Sequence, residues 1–264
     1  MRLYIVDNKE SDRQFNIAKI QQIFSYIIKD IDTVVVSEQD DVFDFRKTSK
    51  FLTVIKRNIL LLFYNYKFRR IRELKYSQII ADSINDIIMM GCAQFYFNSF
   101  YSKIKNEMFL TQKHLYIWRN IINSKIDNAI ITENDLTLMG NENKSLETLK
   151  DTIFSSKLIV FSHSVKLSDL MLNKLLKINQ GKILRFQHIL SNGSSGYVIS
   201  LELARQLNEI VTKTPSLALL PIDYLIVAAG LEITQKFNIS AETIFIYPSD
   251  FVHLSGEKLR STLR

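Results

Sequence analysis

Short apolar runs of strand type recur along this chain, and helical periodicity fills the stretches between them. The first run is Leu3-Tyr4-Ile5-Val6, inside residues 2 to 7. Ser11-Asp12 then reads as the cap of a helix through about residue 29, because Phe15, Ala18, Ile20, Ile23, Phe24 and Ile27 recur near a helical period. Thr33 to Val36 is a second strand. Strand, helix, strand in that order predicts a βαβ unit and an α/β sheet. Further strands are expected at Ala129 to Ile131, Lys157 to Phe161, Ile183 to His188 and Thr243 to Tyr247. The run from Gly196 through Ile210 reads as a strand, a cap at Ser200 and a helix. Pro221-Ile222-Asp223 opens another helix, with the proline at a first-turn position. A helix around 110 to 124 carries His114 and Trp118 four apart, hence on one face. Pro248 to Arg264 reads as a polar, basic tail.

With 264 residues, 47% of them hydrophobic, the chain can bury a sizeable core. The net charge is +7, and residues 50 to 75 hold eight Lys or Arg against the single acid Glu73, a balance equal to the whole excess. Phe51, Phe63, Tyr64, Tyr66 and Phe68 interleave with those charges. The stretch fits a nucleic acid backbone, an anionic lipid surface or a solvated helix face. The aromatic and Leu neighbours favour the lipid surface over nucleic acid, for which no motif is present. Residues 77 to 93 continue as an amphipathic helix ending near Gly91. The lone Cys92 has no internal disulfide partner, which points to a reducing compartment. The N-terminus reaches a charge too early for a signal peptide, and no apolar run approaches the roughly 20 residues of a membrane span.

Candidate chemistry centres on Ile130-Ile131-Thr132-Glu133-Asn134-Asp135, where two carboxylates follow a strand. Mg2+ and Mn2+ prefer carboxylate and phosphate oxygens, so Glu133 and Asp135 suit a metal bound against a diphosphate. Open α/β sheets place ligands at the carboxyl ends of strands. The other reading is a solvated turn. His253, after the last strand, is a candidate third ligand from a distant part of the chain. His114, His163, His188 and His253 show no zinc spacing. The absence of G-x-S-x-G, P-loop and G-x-G-x-x-G strings removes the usual support for a serine hydrolase, a P-loop NTPase and a Rossmann dehydrogenase.

Three blocks in order resemble the family 25 glycosyltransferases, the bacterial lipopolysaccharide or lipooligosaccharide sugar transferases related to collagen galactosyltransferases. The first is the opening strand followed by a polar stretch ending in Asp12-Arg13. The second runs from Glu107 through His114 and Trp118 to the strand and Glu133-Asn134-Asp135. The third keeps Tyr197, Ser200, Ala204, Pro221 and Asp223. The chain departs from the family where Asn134 stands for the middle acid of Glu-Asp-Asp, where Phe109-Leu110 replace Gly-Cys, and where Lys113 replaces Ser.

The resemblance implies a GT-A-like fold with a central mixed sheet flanked by helices, in a single domain of residues 1–264. A helical basic insertion is expected near 49–93, reaching to about 105. It also implies a UDP-sugar donor, usually UDP-galactose or UDP-glucose, with Mn2+ or Mg2+ and an inverting transfer. Asp223 is then the candidate general base. Glu133, Asp135 and His253 are the candidate metal ligands. Asp12, Arg13, His114, Glu133, Tyr197 and Ser200 are the candidate donor-binding residues, Arg13 toward the diphosphate. The expected acceptor is a lipid-linked saccharide of lipopolysaccharide, lipooligosaccharide or capsule synthesis. The expected location is cytoplasmic and peripheral to the inner membrane, through residues 50–75, with no nucleic acid partner. The alternative is a catalytically inactive glycosyltransferase-like binding or scaffold protein, motivated by Asn134.

Overall fold

The computed structural model describes residues 1–7, 14–29, 31–37, 43, 50–70, 97–138, 144–162, 183–186, 189, 191, 195–237, 243–246 and 251–253. In chain order its elements are β1 (Arg2–Val6), α1 (Gln14–Ile27), β2 (Asp32–Val36), α2 (Lys50–Arg70), α3 (Phe97–Asn123), β3 (Asn128–Glu133) and β4 (Leu136–Leu138). Then come α4 (Lys144–Thr152), β5 (Leu158–Val160), β6 (Ile183–Phe186), β7 (Gly196–Ser200), α5 (Leu201–Lys213), a 3-10 turn (Pro215–Leu219), α6 (Ile222–Phe237), β8 (Thr243–Ile246) and β9 (Phe251–His253).

Seven strands form one sheet in the order β2-β1-β3-β7-β5-β8-β6. β2, β1 and β3 run parallel, as do β5 and β8. β7 is antiparallel to both its neighbours, and β6 is antiparallel to β8. The sheet is therefore mixed, as expected. Its inner strands are apolar on both faces because helices cover both. Tyr4, Val6, Ala129, Ile131, Tyr197 and Ile199 face α3, α5 and α6. Leu3, Ile5, Ile130, Val198, Ile159 and Ile244 face α1 and α4 on the other side.

The local logic is visible in α5. Ser200 ends β7 in extended backbone, and its hydroxyl accepts from the Leu203 N–H at 3.2 Å, capping the helix. Leu203, Ala204, Leu207, Ile210 and Val211 then bury one stripe.

β3 extends past Ile131 to include Glu133, so only Asn134 and Asp135 form the turn. The expected tail contains β9, which pairs antiparallel with β4 and sets His253 opposite Leu136. β4 is three residues of mixed burial, and α4 is nine residues. Neither is long enough to show a clear period in the sequence. The expected helix over 77–93 lies outside the described residues. α2 joins the main core through Leu61 and Tyr64, so this part of the expected insertion is packed on the domain.

Gly196 shows how tight the second face is. A Cβ there would stand 2.4 Å from Cε2 of Phe161. That ring is buried and packs edge-on to Phe251 at 5.0 Å and against Phe24 at 5.7 Å. Gly196→Ala is expected to cost about 1–3 kcal/mol in urea unfolding. Combined with Phe161→Leu, it should cost less than the sum of the two single changes. Strict additivity would refute this contact.

Candidate active site

The parallel strands β2, β1 and β3 end side by side. Val6 pairs with Val36 on one side and Glu133 on the other. The backbone bonds continue one step further: the Asp7 N–H donates to the Val36 carbonyl at 3.0 Å, and the Asn134 N–H to the Val6 carbonyl at 2.9 Å. The Glu133 N–H donates to the Ser195 carbonyl at 2.9 Å. Asp7, Glu133, Asn134 and Asp135 are all buried at this edge.

Asp7, which follows the first apolar run directly, was not singled out by the sequence reading. Its Oδ1 accepts from the Asn134 amide at 2.7 Å, and its Oδ2 accepts from the Ser37 hydroxyl at 3.0 Å. Buried Lys113, on α3, donates its ammonium to the Asp7 carbonyl oxygen. Asn134 therefore turns its amide to the neighbouring strand, and its buried side-chain oxygen has no hydrogen-bond partner among the described residues.

Behind this edge, under the sheet, is an aromatic group. Tyr197 Oη lies 2.8 Å from His114 Nδ1 and accepts from the Trp118 indole at 3.2 Å. All three residues are fully buried. Because Trp118 has only a donor, the tyrosine proton goes to His114 Nδ1, which places the imidazole proton on Nε2. Burial holds His114 down at about pKa 3, with the nearby Lys113 charge adding to the effect. Burial also pushes the Tyr197 phenol up, the Trp118 hydrogen bond opposes this, and the charges of Asp223 and Glu133 reinforce it.

Asp223 begins α6, where the helix dipole favours an anion. Its Oδ1 accepts from Ser191 Oγ at 2.7 Å. Ser200 lies elsewhere. It pairs with Asn128 at the start of β3, the opposite edge from Glu133, and its hydroxyl caps α5. There it borders a shallow groove of about 490 Å³ with Asp127, Ser155, Lys157 and Arg205. Asp12 and Arg13 lie outside the described residues. His253 is placed by its backbone alone, beside the turn that carries Asp135. Among the described residues, no group of three or more His, Cys, Asp or Glu side chains is assembled to hold a metal ion.

Open α/β sheets carry their ligands beyond the carboxyl ends of the strands, which is where these buried acids lie. Residues 111–226 match the family model described as glycosyltransferase family 25 (LPS biosynthesis protein). The resemblance read from the sequence is thereby shown over the stretch that runs from α3 into α6, and it supports glycosyl transfer. Among solved structures, the chain is similar to a glycosyltransferase involved in the glycosylation of the major capsid of PBCV-1. Identity is 10% and the TM-score 0.39, over 99% of this chain and 96% of that one. None of the curated proteins matches.

The buried neutral imidazole has a pH signature. An exposed histidine titrates near 6.5, whereas His114 is held at about 3. Between those values the unfolded chain binds the extra proton, so this group's contribution to stability is lost as pH falls through that window. The slope is at most about 1.4 kcal/mol per pH unit. His114→Gln should flatten the dependence of unfolding free energy on pH between 7 and 5. Equal slopes for the two proteins would sink this account.

Proposed function

We propose that the protein is a hexosyltransferase that moves galactose or glucose from a UDP-sugar to a saccharide acceptor of bacterial lipopolysaccharide, lipooligosaccharide or capsule synthesis, with inversion and on a GT-A-like fold. The observation that carries this reading is the match of residues 111–226 to the glycosyltransferase family 25 model, with the buried acids Glu133 and Asp135 at the end of β3 inside it. The carboxylate oxygens of Glu133 and Asp135 are donors a hard cation prefers, and a third ligand would have to join them, since no group of three is assembled among the described residues. Glu133 and Asp135, with His253 as a third candidate, would hold Mn2+ or Mg2+, which would neutralise charge on the UDP leaving group.

The remaining chemistry belongs to the chain. The acceptor hydroxyl oxygen attacks the anomeric carbon, a carbon–oxygen bond forms, and the bond from that carbon to the diphosphate oxygen breaks. Asp223 takes the hydroxyl proton. Ser191 fixes one of its oxygens, and the start of α6 fixes its backbone, so the base is held before the acceptor arrives. Asp12 and Arg13, the latter toward the diphosphate, remain candidates for donor binding. His114 and Tyr197 would act from beneath the site, as a fixed dipolar support for Glu133 and Asp223.

Location at an anionic membrane surface draws support from α2. Phe51, Leu52, Ile59, Leu62, Phe63 and Tyr66 are exposed along it. Two of its bases are used internally instead: Arg57 binds Glu107, and Lys67 binds Glu232 at 2.6 Å. The lipid reading therefore leans on the apolar residues more than on charge. No helix among the described residues is long and apolar enough to cross a membrane.

UDP with Mn2+ should raise the Tm of the wild-type protein. Asp135→Ala should abolish that rise together with UDP-sugar turnover. Asp223→Asn should keep the rise and lose roughly 10²–10⁴-fold in turnover, the range expected for a general base. Unchanged turnover in Asp135→Ala would refute its role at the metal, and unchanged turnover in Asp223→Asn would refute the base. Separately, the double change Ile59→Asp with Leu62→Asp should reduce sedimentation with vesicles containing anionic lipid. Undiminished sedimentation would remove α2 from membrane contact.

A further inference from the structure

We propose that the groove around the first residues of β3 is a second, non-catalytic site that binds an uncharged saccharide. It lies at the opposite end of β3 from Glu133, roughly 17 Å away along the strand.

The groove has a fixed floor. Three segments meet there: the start of β3, the turn before β5 and the start of α5. Backbone bonds join them. The Ser200 N–H donates to the Lys157 carbonyl at 2.9 Å, and the Leu201 N–H to the Asp127 carbonyl at 2.8 Å. The turn that carries Phe154 is closed as well, since the N–H and the hydroxyl of Ser155 both donate to the Thr152 carbonyl, at 2.8 and 2.7 Å. Phe154 is thereby held out into solvent with 72% of its surface exposed, more than any other large apolar side chain among the described residues. A site formed before its ligand arrives loses little to ordering on binding. Its volume of about 490 Å³ falls in the usual range for small-molecule sites. A stable protein interface takes about 20 to 30 residues a side, whereas ten line this groove.

The lining selects the ligand. Its ionic side chains are two acids, Asp127 and Glu202, and two bases, Lys157 and Arg205. The charges cancel, so a nucleic acid backbone or an anionic lipid surface gains little here. Lys157 and Glu202 pair with each other at 2.7 Å. Asp127, Asn128 and Arg205 carry no side-chain bond to another described residue. They offer, in that order, an acceptor, an acceptor with donors, and donors. A sugar hydroxyl both donates and accepts, so a run of hydroxyls can use the whole mixed set. Phe154 supplies what the other side of a sugar needs. The C–H bonds on one face of a pyranose are weakly positive, and the face of an aromatic ring is negative. The chemistry of this site stands apart from the proposed function, but its use rests on that reading. A saccharide acceptor or product held here would stay at high effective concentration beside the enzyme.

The test is an NMR titration of the full chain with three neutral probes, lactose, maltose and maltotriose, and with a single-stranded oligonucleotide as the anionic probe. Wild type should bind at least one neutral probe, with a Kd of about 1 mM because a shallow groove covers only one face of a sugar. Phe154→Ala should weaken that binding roughly tenfold, Arg205→Ala should weaken it as well, and Phe154→Tyr should keep it. Phe154 and Arg205 are exposed, so all three variants should retain the wild-type Tm and the Tm rise with UDP and Mn2+. Undiminished saccharide binding in Phe154→Ala overturns the proposal, as does tighter binding of the oligonucleotide than of every sugar. A wild type that responds to UDP and Mn2+ yet binds none of the neutral probes overturns this inference alone. Saccharide binding through Phe154 in a protein unmoved by UDP and Mn2+ would keep this site and remove the glycosyltransferase reading.

Discussion

Three parallel strands that end in register set the frame of the candidate site. β2, β1 and β3 stop together, and each then continues by one residue whose backbone or side chain bonds to the strand beside it. The Asp7 and Asn134 amides are spent on neighbouring strand carbonyls, so the backbone at this edge is pinned on both sides. Acids carried on such a backbone need little further ordering. Buried acids are costly unless donors meet them, and here the donors come from the same strand ends: Ser37 from β2 and Asn134 from β3.

α3 connects that edge to the rest of the domain. Along its 27 residues, Lys113 reaches the Asp7 carbonyl, while His114 and Trp118 meet Tyr197. Thr111 donates to the Leu220 carbonyl at 2.8 Å, just before the helix that begins with Ile222 and Asp223. Asn120 accepts from the Tyr4 hydroxyl at 2.5 Å, on the strand that ends in Asp7. One helix therefore positions both the acid edge and the start of α6. A displacement of α3 would move both together, which couples the candidate base to the candidate donor site.

The alternation of apolar runs and helical periods was enough to read an α/β sheet, the order of its long elements and the cap at Ser200, while its mixed character came with the family resemblance. These are local signals: a strand buried on both faces is an unbroken apolar run, and a cap is one residue beside a periodic stripe. β4, β9 and α4 were not legible. A three-residue strand such as β9 has no period of its own and depends on a partner 117 positions away, Leu136 opposite His253. The basic stretch was legible as charge but not as contact. Nothing in the string Lys56-Arg57 says that Arg57 turns inward to Glu107.

The site shows the same division more sharply. Glu133 and Asp135 could be found by reading along one strand. Asp7 could not be joined to that turn this way, because its bond to Asn134 runs across strands and depends on register. A signal was present: an acid directly after the run Leu3-Tyr4-Ile5-Val6, at the strand end where open α/β sheets carry their ligands. Read along the chain, Asn134 is a gap between two acids. Read across the sheet, it is the donor that an acid on the adjacent strand requires, so the same residue changes from a missing charge to a condition for keeping one. Linear motifs record the residues of a single strand, whereas charge balance at a strand end is decided by all the strands that finish there.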